Sequence, residues 1–349
     1  MSEALAFRAL ALQVRCDAVN AATTTAAARQ QILASIARIG ASLKAAKAFI
    51  GPDLRLVVLP EYFASGFPLG ESIAQWQAKA AFAPDGAEYA ALGALAAEAK
   101  VFLAGNAYET DPHFPELYFQ ASFVIAPSGE VVLRYRRMIS LFAPTPYDVW
   151  DAYLDRYGAA AIFPVVATEL GRLGCVASEE IVYPEIARAL ALRGAEVLLH
   201  STSEIGSPQP TPKDIGKRAR AFENMAYVVS ANSAGIAGIA IPQASTDGMS
   251  KIVDDQGRVL CEAGYGESMV AFADIDIAGL RARRARAGMG HTLSRLPRAA
   301  LALALEPATL EPNAMLEDGV LKVPDRAAFA QRQRAVIERM QRDGVLHGA

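Results

Sequence analysis

The sequence predicts an α/β protein whose strands and helices form layers around a mixed sheet. Short β-type runs alternate with helical stretches along most of the 349 residues. Two pairs of strand-like runs are each joined by a Gly-containing turn, which is typical of antiparallel hairpins, so a purely parallel sheet is not expected. No low-complexity linker divides the chain. We therefore expect one domain over residues 1–282 and a C-terminal extension over residues 283–349.

The elements of the first half follow from hydrophobic periodicity and turn residues. Residues 6–13 form a predicted strand, and residues 24–49 a long helix with apolar side chains at the spacing of one buried face. A strand at 55–59, a helix near 86–99 and a strand at 101–104 follow. The first hairpin then pairs the run QASFVIA with EVVLRY across the turn Pro127-Ser128-Gly129.

The second half repeats the pattern and ends in a separate helix. Strands are predicted at 172–177, 195–199 and 226–231, with a helix at 184–193 between the first two; Pro184 suits its first turn. The second hairpin pairs SKIVD with RVLCEA. An amphipathic helix at 325–342, with Phe329 and Val336 on its apolar face, is expected to pack at an oligomer interface.

Composition excludes several classes of function. The net charge is −3 with both signs interspersed, whereas a nucleic-acid surface needs clustered Lys and Arg. No window reaches the roughly 18 apolar residues of a membrane helix, and charged residues interrupt the N-terminal apolar stretch. The three cysteines and four histidines form no ligand cluster. We expect a cytoplasmic protein with reduced thiols, no metal and no cofactor.

Five segments in chain order resemble the nitrilase superfamily of carbon–nitrogen hydrolases. They are the strand ending in Leu59-Pro60-Glu61, the hairpin running to Leu141-Phe142, the segment 174–185, the segment 218–235 and the stretch that begins at Gly248. Each segment is a weak signal alone, but their order and spacing over about 270 residues are specific. The resemblance implies a four-layer αββα sandwich and a homo-oligomer.

The resemblance also implies a mechanism in which a Cys thiolate attacks a nitrile or amide carbon, a Glu moves the proton and a Lys stabilises the oxyanion. Glu61 occupies the position of the family's glutamate. Counting back from Tyr183-Pro184 places Ser178 at the nucleophile position, and counting back from Leu141-Phe142 places Met138 at the lysine position. Two of the three chemical groups are therefore replaced.

Neighbouring residues are poor substitutes for the two lost groups. Cys175 lies an odd number of residues before Ser178, so on a strand it faces the opposite side. No lysine occurs between Lys100 and Lys213. Arg136 or Arg137 is the alternative cation, although arginine is bulkier than lysine and permanently charged.

Two functions remain open for this sequence. One is a hydrolase acting on a small amide-like compound, with Ser178 as nucleophile and Glu61 as general base. The other is an inactive relative that binds an amide or amine-bearing ligand in the former pocket. An introduced Cys-to-Ser change would explain Ser178 but not Met138.

The remaining candidate residues surround the predicted pocket. Arg137, Met138, Glu179 and Glu180 are candidates for substrate binding, although Glu180 equally suits a structural role near a helix start. Among the acids of residues 148–155, the spacing selects none as a further pocket residue.

Overall fold

The computed structural model describes residues 6–305 and 310–346. The α-helices are α1 Thr25–Ile50, α2 Ile73–Ala80, α3 Ala87–Ala99, α4 Trp150–Tyr157, α5 Pro184–Leu192, α6 Pro212–Asn224, α7 Ile277–Arg284, α8 Arg298–Leu305 and α9 Arg326–Arg342. The strands are β1 Ala6–Ala11, β2 Cys16–Asp17, β3 Leu54–Glu61, β4 Phe102–Asp111, β5 Phe114–Ile125, β6 Val131–Arg136, β7 Val165–Thr168, β8 Gly171–Ala177, β9 Val197–Ser201, β10 Tyr227–Ala231, β11 Ile236–Ala237, β12 Lys251–Val253, β13 Val259–Glu262, β14 Phe272–Asp276, β15 Leu316–Glu317 and β16 Val320–Leu321.

Two six-stranded sheets form the centre of the molecule. The first has the strand order β14-β1-β3-β4-β5-β6 and the second β13-β12-β10-β9-β8-β7. Each sheet is parallel at its centre, for example β3 with β4 and β8 with β9, and antiparallel at its edges. Both predicted hairpins, β5 with β6 and β12 with β13, are confirmed. The sheets are mixed, as the sequence predicts.

The side chains of β3 show how the layers stack. Successive residues of a strand point to opposite faces of its sheet. Val57 and Leu59 belong to the apolar cluster that includes Ile32 and Ile36 of α1, whereas Leu56 and Val58 belong to the cluster shared with the second sheet. On the far side of the second sheet, α5 and α6 contribute Leu190, Ala221 and neighbouring residues to that cluster. The four-layer αββα sandwich is confirmed.

Helix α6 is the main element that the sequence analysis does not predict. Its sequence PKDIGKRARAFEN is strongly polar and contains Gly216, so it lacks the apolar periodicity on which the helix predictions depend. The helix nevertheless has a clear start. The Thr211 hydroxyl caps it by accepting from the Asp214 N–H at 3.0 Å, and Pro212 occupies its first position.

The C-terminal extension folds back on its own chain. The predicted helix at 325–342 is present as α9, with Phe329 buried and Arg332 paired with the buried carboxylate of Asp148. Near it, the Met315 N–H donates to the Asp148 carbonyl at 2.9 Å. In the described residues no helix is long and apolar enough to span a bilayer.

Candidate active site

Ser178 lies at a sharp turn between β8 and a short 3₁₀ helix, Ser178–Val182. Its φ is +45°, a left-handed conformation that strains a residue with a side chain by about 1–3 kcal/mol. His200 holds this turn, because its Nε2 donates to the Ser178 carbonyl at 2.9 Å and its Nδ1 lies 2.8 Å from the Ser230 hydroxyl. Burial lowers the pKa of His200 well below its ordinary value, so the imidazole is neutral. The turn is therefore fixed by the surrounding fold.

Glu180 supports the same turn from beneath. Its carboxylate accepts from the Tyr135 hydroxyl at 2.8 Å, the Met138 N–H at 2.7 Å and the Ala177 N–H at 3.1 Å. Burial raises the pKa of the Glu180 carboxyl, although Arg137 and these donors oppose the shift. Glu180 is fully buried and lies outside the pocket. These contacts give Glu180 a structural role, and substrate binding by Glu180 stays a prediction that the lining of the pocket does not support.

The pocket above Ser178 has a volume of about 380 Å³ and combines charged and apolar walls. Glu61, Arg137, Glu179 and Ser178 all line it, so four of the predicted site residues come together. The other lining residues are Tyr62, Phe67, Pro68, Tyr108, Gln120, Ser140, Leu141, Phe142, Ala143, Ser203, Lys213 and Arg326.

Glu61 and Arg137 form the buried charged wall of the pocket. Gln120 donates to Glu61 at 2.7 Å, and the Arg137 guanidinium lies 3.3 Å from the same carboxylate oxygen. Arg137 also contacts the Gln120 amide oxygen and pairs with Glu179. The Arg137 cation is therefore already compensated by two carboxylates.

The side chain of Met138 lies outside the pocket and packs against both apolar clusters. Contact of Met138 with substrate at the lysine position stays a prediction that this placement does not support. Strand β6 ends at Arg136 and the chain bends at residue 138, so the side chains of residues 137 and 138 take different directions. The Arg137 side chain enters the pocket, whereas the Met138 backbone N–H donates to the Glu180 carboxylate beneath it.

Lys213, in the first turn of α6, is the residue in contact with the Ser178 hydroxyl. Its Nζ lies 2.9 Å from the Ser178 Oγ, 3.1 Å from the Thr202 Oγ1 and 3.2 Å from the Ser203 carbonyl oxygen. Lys213 could not be identified from the sequence, because no motif relates it to a serine 35 residues earlier. The helix-start pattern Thr211-Pro212 marks its position but not its role.

The uncharged form of the Lys213 amine is more favoured at this site than it would be in water. Burial lowers the pKa of the Lys213 ammonium, and the Arg137 charge acts in the same direction. Glu61 and Glu204 oppose the shift, but the pKa stays below its ordinary value. Lys213 is thus nearer to being a base than an exposed lysine would be.

The remaining candidates lie outside the pocket. Cys175 is in the apolar cluster around the second sheet, where burial raises its pKa and leaves the thiol protonated. Asp148 accepts from the Thr145 hydroxyl and pairs with Arg332. Within the described ranges, no group of three or more His, Cys, Asp or Glu side chains is placed to hold a metal ion.

The fold and this site define the class of the protein. Two mixed sheets lie between helix layers, and the strained Ser178 at the end of β8 and Glu61 at the end of β3 line one pocket. The chain belongs to the carbon–nitrogen hydrolase family, whose model matches residues 15–285. Residues 286–349 lie beyond that match.

Similar proteins of known sequence and structure agree with this assignment. A hydrolase from the pqqF 5′ region of Pseudomonas protegens is 31% identical over 218 residues, covering 62% of this chain and 70% of that protein. An omega-amidase of Saccharomyces cerevisiae is 25% identical over 64% of this chain and 76% of its own. The solved amidase of Nesterenkonia sp. superposes with a TM-score of 0.62 at 20% identity, over 86% of this chain and 96% of that one.

Proposed function

We propose that this protein hydrolyses the carbon–nitrogen bond of a small amide-like compound, with Ser178 as nucleophile and Lys213 as its general base. The observation that carries the proposal is the 2.9 Å contact between the Lys213 Nζ and the Ser178 Oγ. A serine hydroxyl is a weak nucleophile unless a base is within hydrogen-bonding reach. Relatives named omega-amidase and formamidase support the amide class of substrate.

The Lys213 Nζ donates to the Ser178 hydroxyl, the Thr202 hydroxyl and the Ser203 carbonyl when it is charged. As a neutral amine it keeps two N–H groups for Thr202 and Ser203 and turns its lone pair toward the Ser178 proton. When Ser178 attacks the amide carbon, its proton moves to the Lys213 Nζ and the carbonyl electrons move to oxygen. Collapse of the intermediate breaks the C–N bond, and the leaving amine takes the proton from Lys213.

Water completes the reaction. It attacks the acyl-serine ester and transfers a proton to Lys213, which returns it to the Ser178 oxygen as the carboxylic acid leaves. The sum is amide plus water giving acid plus amine. Glu61 favours the ammonium form that Lys213 takes during each step, since its charge raises the Lys213 pKa. We therefore assign the base role to Lys213, and a supporting electrostatic role to Glu61.

The alternative function is a protein that binds an amide-like ligand without turning it over. The absence of a lysine from the family's position and the compensated charge of Arg137 favour it. The two functions differ in whether an acyl group is ever transferred to Ser178.

Ammonia release from a panel of small amides, together with hydrolysis of activated esters, separates the two functions. We expect turnover that Ser178→Ala abolishes and Lys213→Met reduces by about 100-fold or more, as is typical for loss of a general base. Lys44→Met, which removes an exposed lysine from α1, is the matched control and should leave the rate unchanged. Binding of an amide without ammonia release and without acylation of Ser178 would establish the second function instead.

A further inference from the structure

A buried ion pair lies one helical turn from Lys213 and has no part in the proposed reaction. The Lys217 Nζ donates to the Glu204 carboxylate at 2.6 Å, and the two side chains are 0% and 6% exposed. Lys217 follows Lys213 by four residues, so both lysines lie on the same face of α6. The inward face of this helix is therefore charged.

The polar inner face of α6 is not explained by stability. Burial of two charges opposes folding, and apolar residues of similar volume often stabilise a core as well as an ion pair does. Apolar side chains are present on this helix, but Ile215 and Phe222 are exposed. What a hydrogen-bonded ion pair adds is direction, because the ammonium and the carboxylate must meet in a defined geometry. We therefore looked for what the pair orients.

Glu204 is a fixed point for α6, because its backbone is held on both sides by one amide group. Its N–H donates to the Asn232 Oδ1 at 2.8 Å, and its carbonyl oxygen accepts from the Asn232 Nδ2 at 3.1 Å. Asn232 is fully buried and directly follows β10. The second sheet thus sets the position of Glu204.

The Glu204 carboxylate holds α6 at two points that flank Lys213 in the sequence. One oxygen accepts from the Thr211 hydroxyl, which also caps the helix, and the other accepts from Lys217. Ser203, the residue before Glu204, supplies the carbonyl oxygen that lies 3.2 Å from the Lys213 Nζ. Glu204 therefore joins the helix that carries Lys213 to the segment that Lys213 contacts.

We propose that Glu204 and Lys217 are positioning residues, whose ion pair fixes the rotation of α6 so that the Lys213 amine faces the Ser178 hydroxyl. Neither of the two side chains lines the pocket around Ser178, so they act through Lys213 and not on the substrate. The effect on rate rests on the proposed function, whereas the placement of Lys213 can be measured without turnover.

The first test breaks the pair from either side. With an activated ester as substrate, Lys217→Met and Glu204→Gln should each lower kcat by about tenfold or more with little change in KM, because displacement of a reacting group by ~1 Å can lower a rate about 100-fold. Lys217→Arg keeps the charged pair and should retain most of the rate. Glu88→Gln is the matched control, since Glu88 is also 6% exposed and pairs with an arginine; its kcat should be unchanged.

The double variant Glu204→Gln/Lys217→Met separates positioning from stability. It leaves no unpaired buried charge, so urea denaturation should show it to be more stable than Lys217→Met alone. Its kcat should nevertheless stay low, because the directed contact is lost. Recovery of the wild-type kcat in the double variant would show that the pair contributes only to stability, and would overturn the inference.

Acetylation of lysines by acetic anhydride, followed by peptide mass spectrometry, tests the placement of Lys213 without turnover. In the wild type Lys213 should react more slowly than the exposed Lys44, because its amine is enclosed by contacts to Ser178 and Ser203. Lys217→Met should increase the acetylation rate of Lys213 several-fold, and Glu88→Gln should leave it unchanged.

The two measurements distinguish failure of this inference from failure of the proposed reaction. An acetylation rate of Lys213 that Lys217→Met does not change would overturn the inference, whether or not the protein turns over any substrate. A faster acetylation in Lys217→Met, together with no turnover by the wild type, would support the positioning of Lys213 and contradict the proposed reaction alone.

Discussion

At the scale of single residues, the proposed reaction depends on the contact between the Ser178 hydroxyl and the Lys213 amine. Serine needs a base within hydrogen-bonding reach, and lysine is a base only when it loses its proton. Burial of Lys213 works toward that state and Glu61 works against it. The balance between these two effects decides the pH at which the site is active.

The first prediction concerns the pH dependence of activity. Because the Lys213 pKa is lowered from its ordinary value of 10.5, the fraction of neutral amine rises with pH and reaches its plateau earlier than for an exposed lysine. kcat/KM should therefore rise with pH through the lowered pKa of Lys213. In Glu61→Gln the amine loses a carboxylate that stabilises its charged form, so the midpoint of the rise should shift to lower pH. A midpoint that stays in place would contradict the coupling of Glu61 to Lys213.

The second prediction concerns position 138. Met138→Lys would put an ammonium beside two apolar clusters instead of into the pocket, so we expect a loss of about 1–3 kcal/mol in the free energy of unfolding and no gain in activity. Urea denaturation measures the loss. Met138→Leu, which keeps the apolar volume, should cost less than about 1.5 kcal/mol. A stable and more active lysine variant would show that residue 138 does face the pocket.

Residue identities at the site were predictable only where a motif fixes them. Glu61 and Ser178 follow from segments whose neighbours set the register, and both line the pocket. The choice between Arg137 and Met138 depends on which way one residue of an irregular segment turns, and sequence spacing does not decide it. Lys213 comes from a different element, so its approach to Ser178 is a property of the tertiary fold alone.

At the scale of elements, the packing of α6 against the Ser178 turn positions Lys213, the proposed base. Arg220 of α6 donates from Nε to the Ile181 carbonyl at 2.9 Å, which ties the helix to the 3₁₀ turn. Gly216, one turn before Arg220, allows the close approach: a Cβ there would lie 2.7 Å from the same carbonyl oxygen. The distance from Lys213 to Ser178 thus depends on a glycine that touches neither.

The third prediction follows from this contact. In an open helix Gly→Ala adds about 1 kcal/mol of stability, but Gly216→Ala forces α6 away from the backbone of Ile181. We expect lower stability, and a fall in kcat that exceeds the change in KM, because the base is displaced more than the substrate. Ala219→Gly on the same helix is a useful control, since it weakens the helix without a new contact. An active, stabilised Gly216→Ala variant would show that the helix position does not set the rate.

A helix or strand was predictable from the sequence where its apolar residues recur at a regular spacing. Helix α1 and strands β3 and β8 have clear apolar patterns, and their predicted bounds lie within a few residues of the observed ones. Strand β4 was predicted to end at residue 104 but continues to Asp111. Helices α2 and α4 span only eight residues each, too short for a reliable pattern, and α6 is too polar. Helix α9 contacts the pocket because the chain after residue 310 folds back toward it. No local sequence pattern predicts this path.

At the scale of the whole molecule, the outer helix layer of the second sheet leaves apolar side chains in solvent. On α5 the residues Ile186 and Leu190 are buried within the chain, but Leu192 remains exposed, as do Ile215 and Phe222 of α6. Apolar side chains gathered on one layer are typical of a surface that another subunit covers.

The fourth prediction is self-association through this layer, as the resemblance to the family implies. Light scattering at micromolar concentration should give a mass of at least twice 37.0 kDa. Phe222→Glu should shift the mass toward that of one chain, whereas Val320→Glu, an exposed apolar position in the C-terminal extension, should not. A single-chain mass for the unmodified protein would contradict the prediction.

The most direct test of the central claim is the labelling of Ser178 by a fluorophosphonate, followed by peptide mass spectrometry. If Lys213 activates Ser178, one adduct should form, on the peptide that contains Ser178, and it should form faster as pH rises. The adduct should be lost in Lys213→Met protein, provided that this variant keeps the thermal unfolding midpoint of the wild type. Labelling at Ser178 that is equally fast without Lys213, or no labelling of the folded wild-type protein at any pH, would contradict the account.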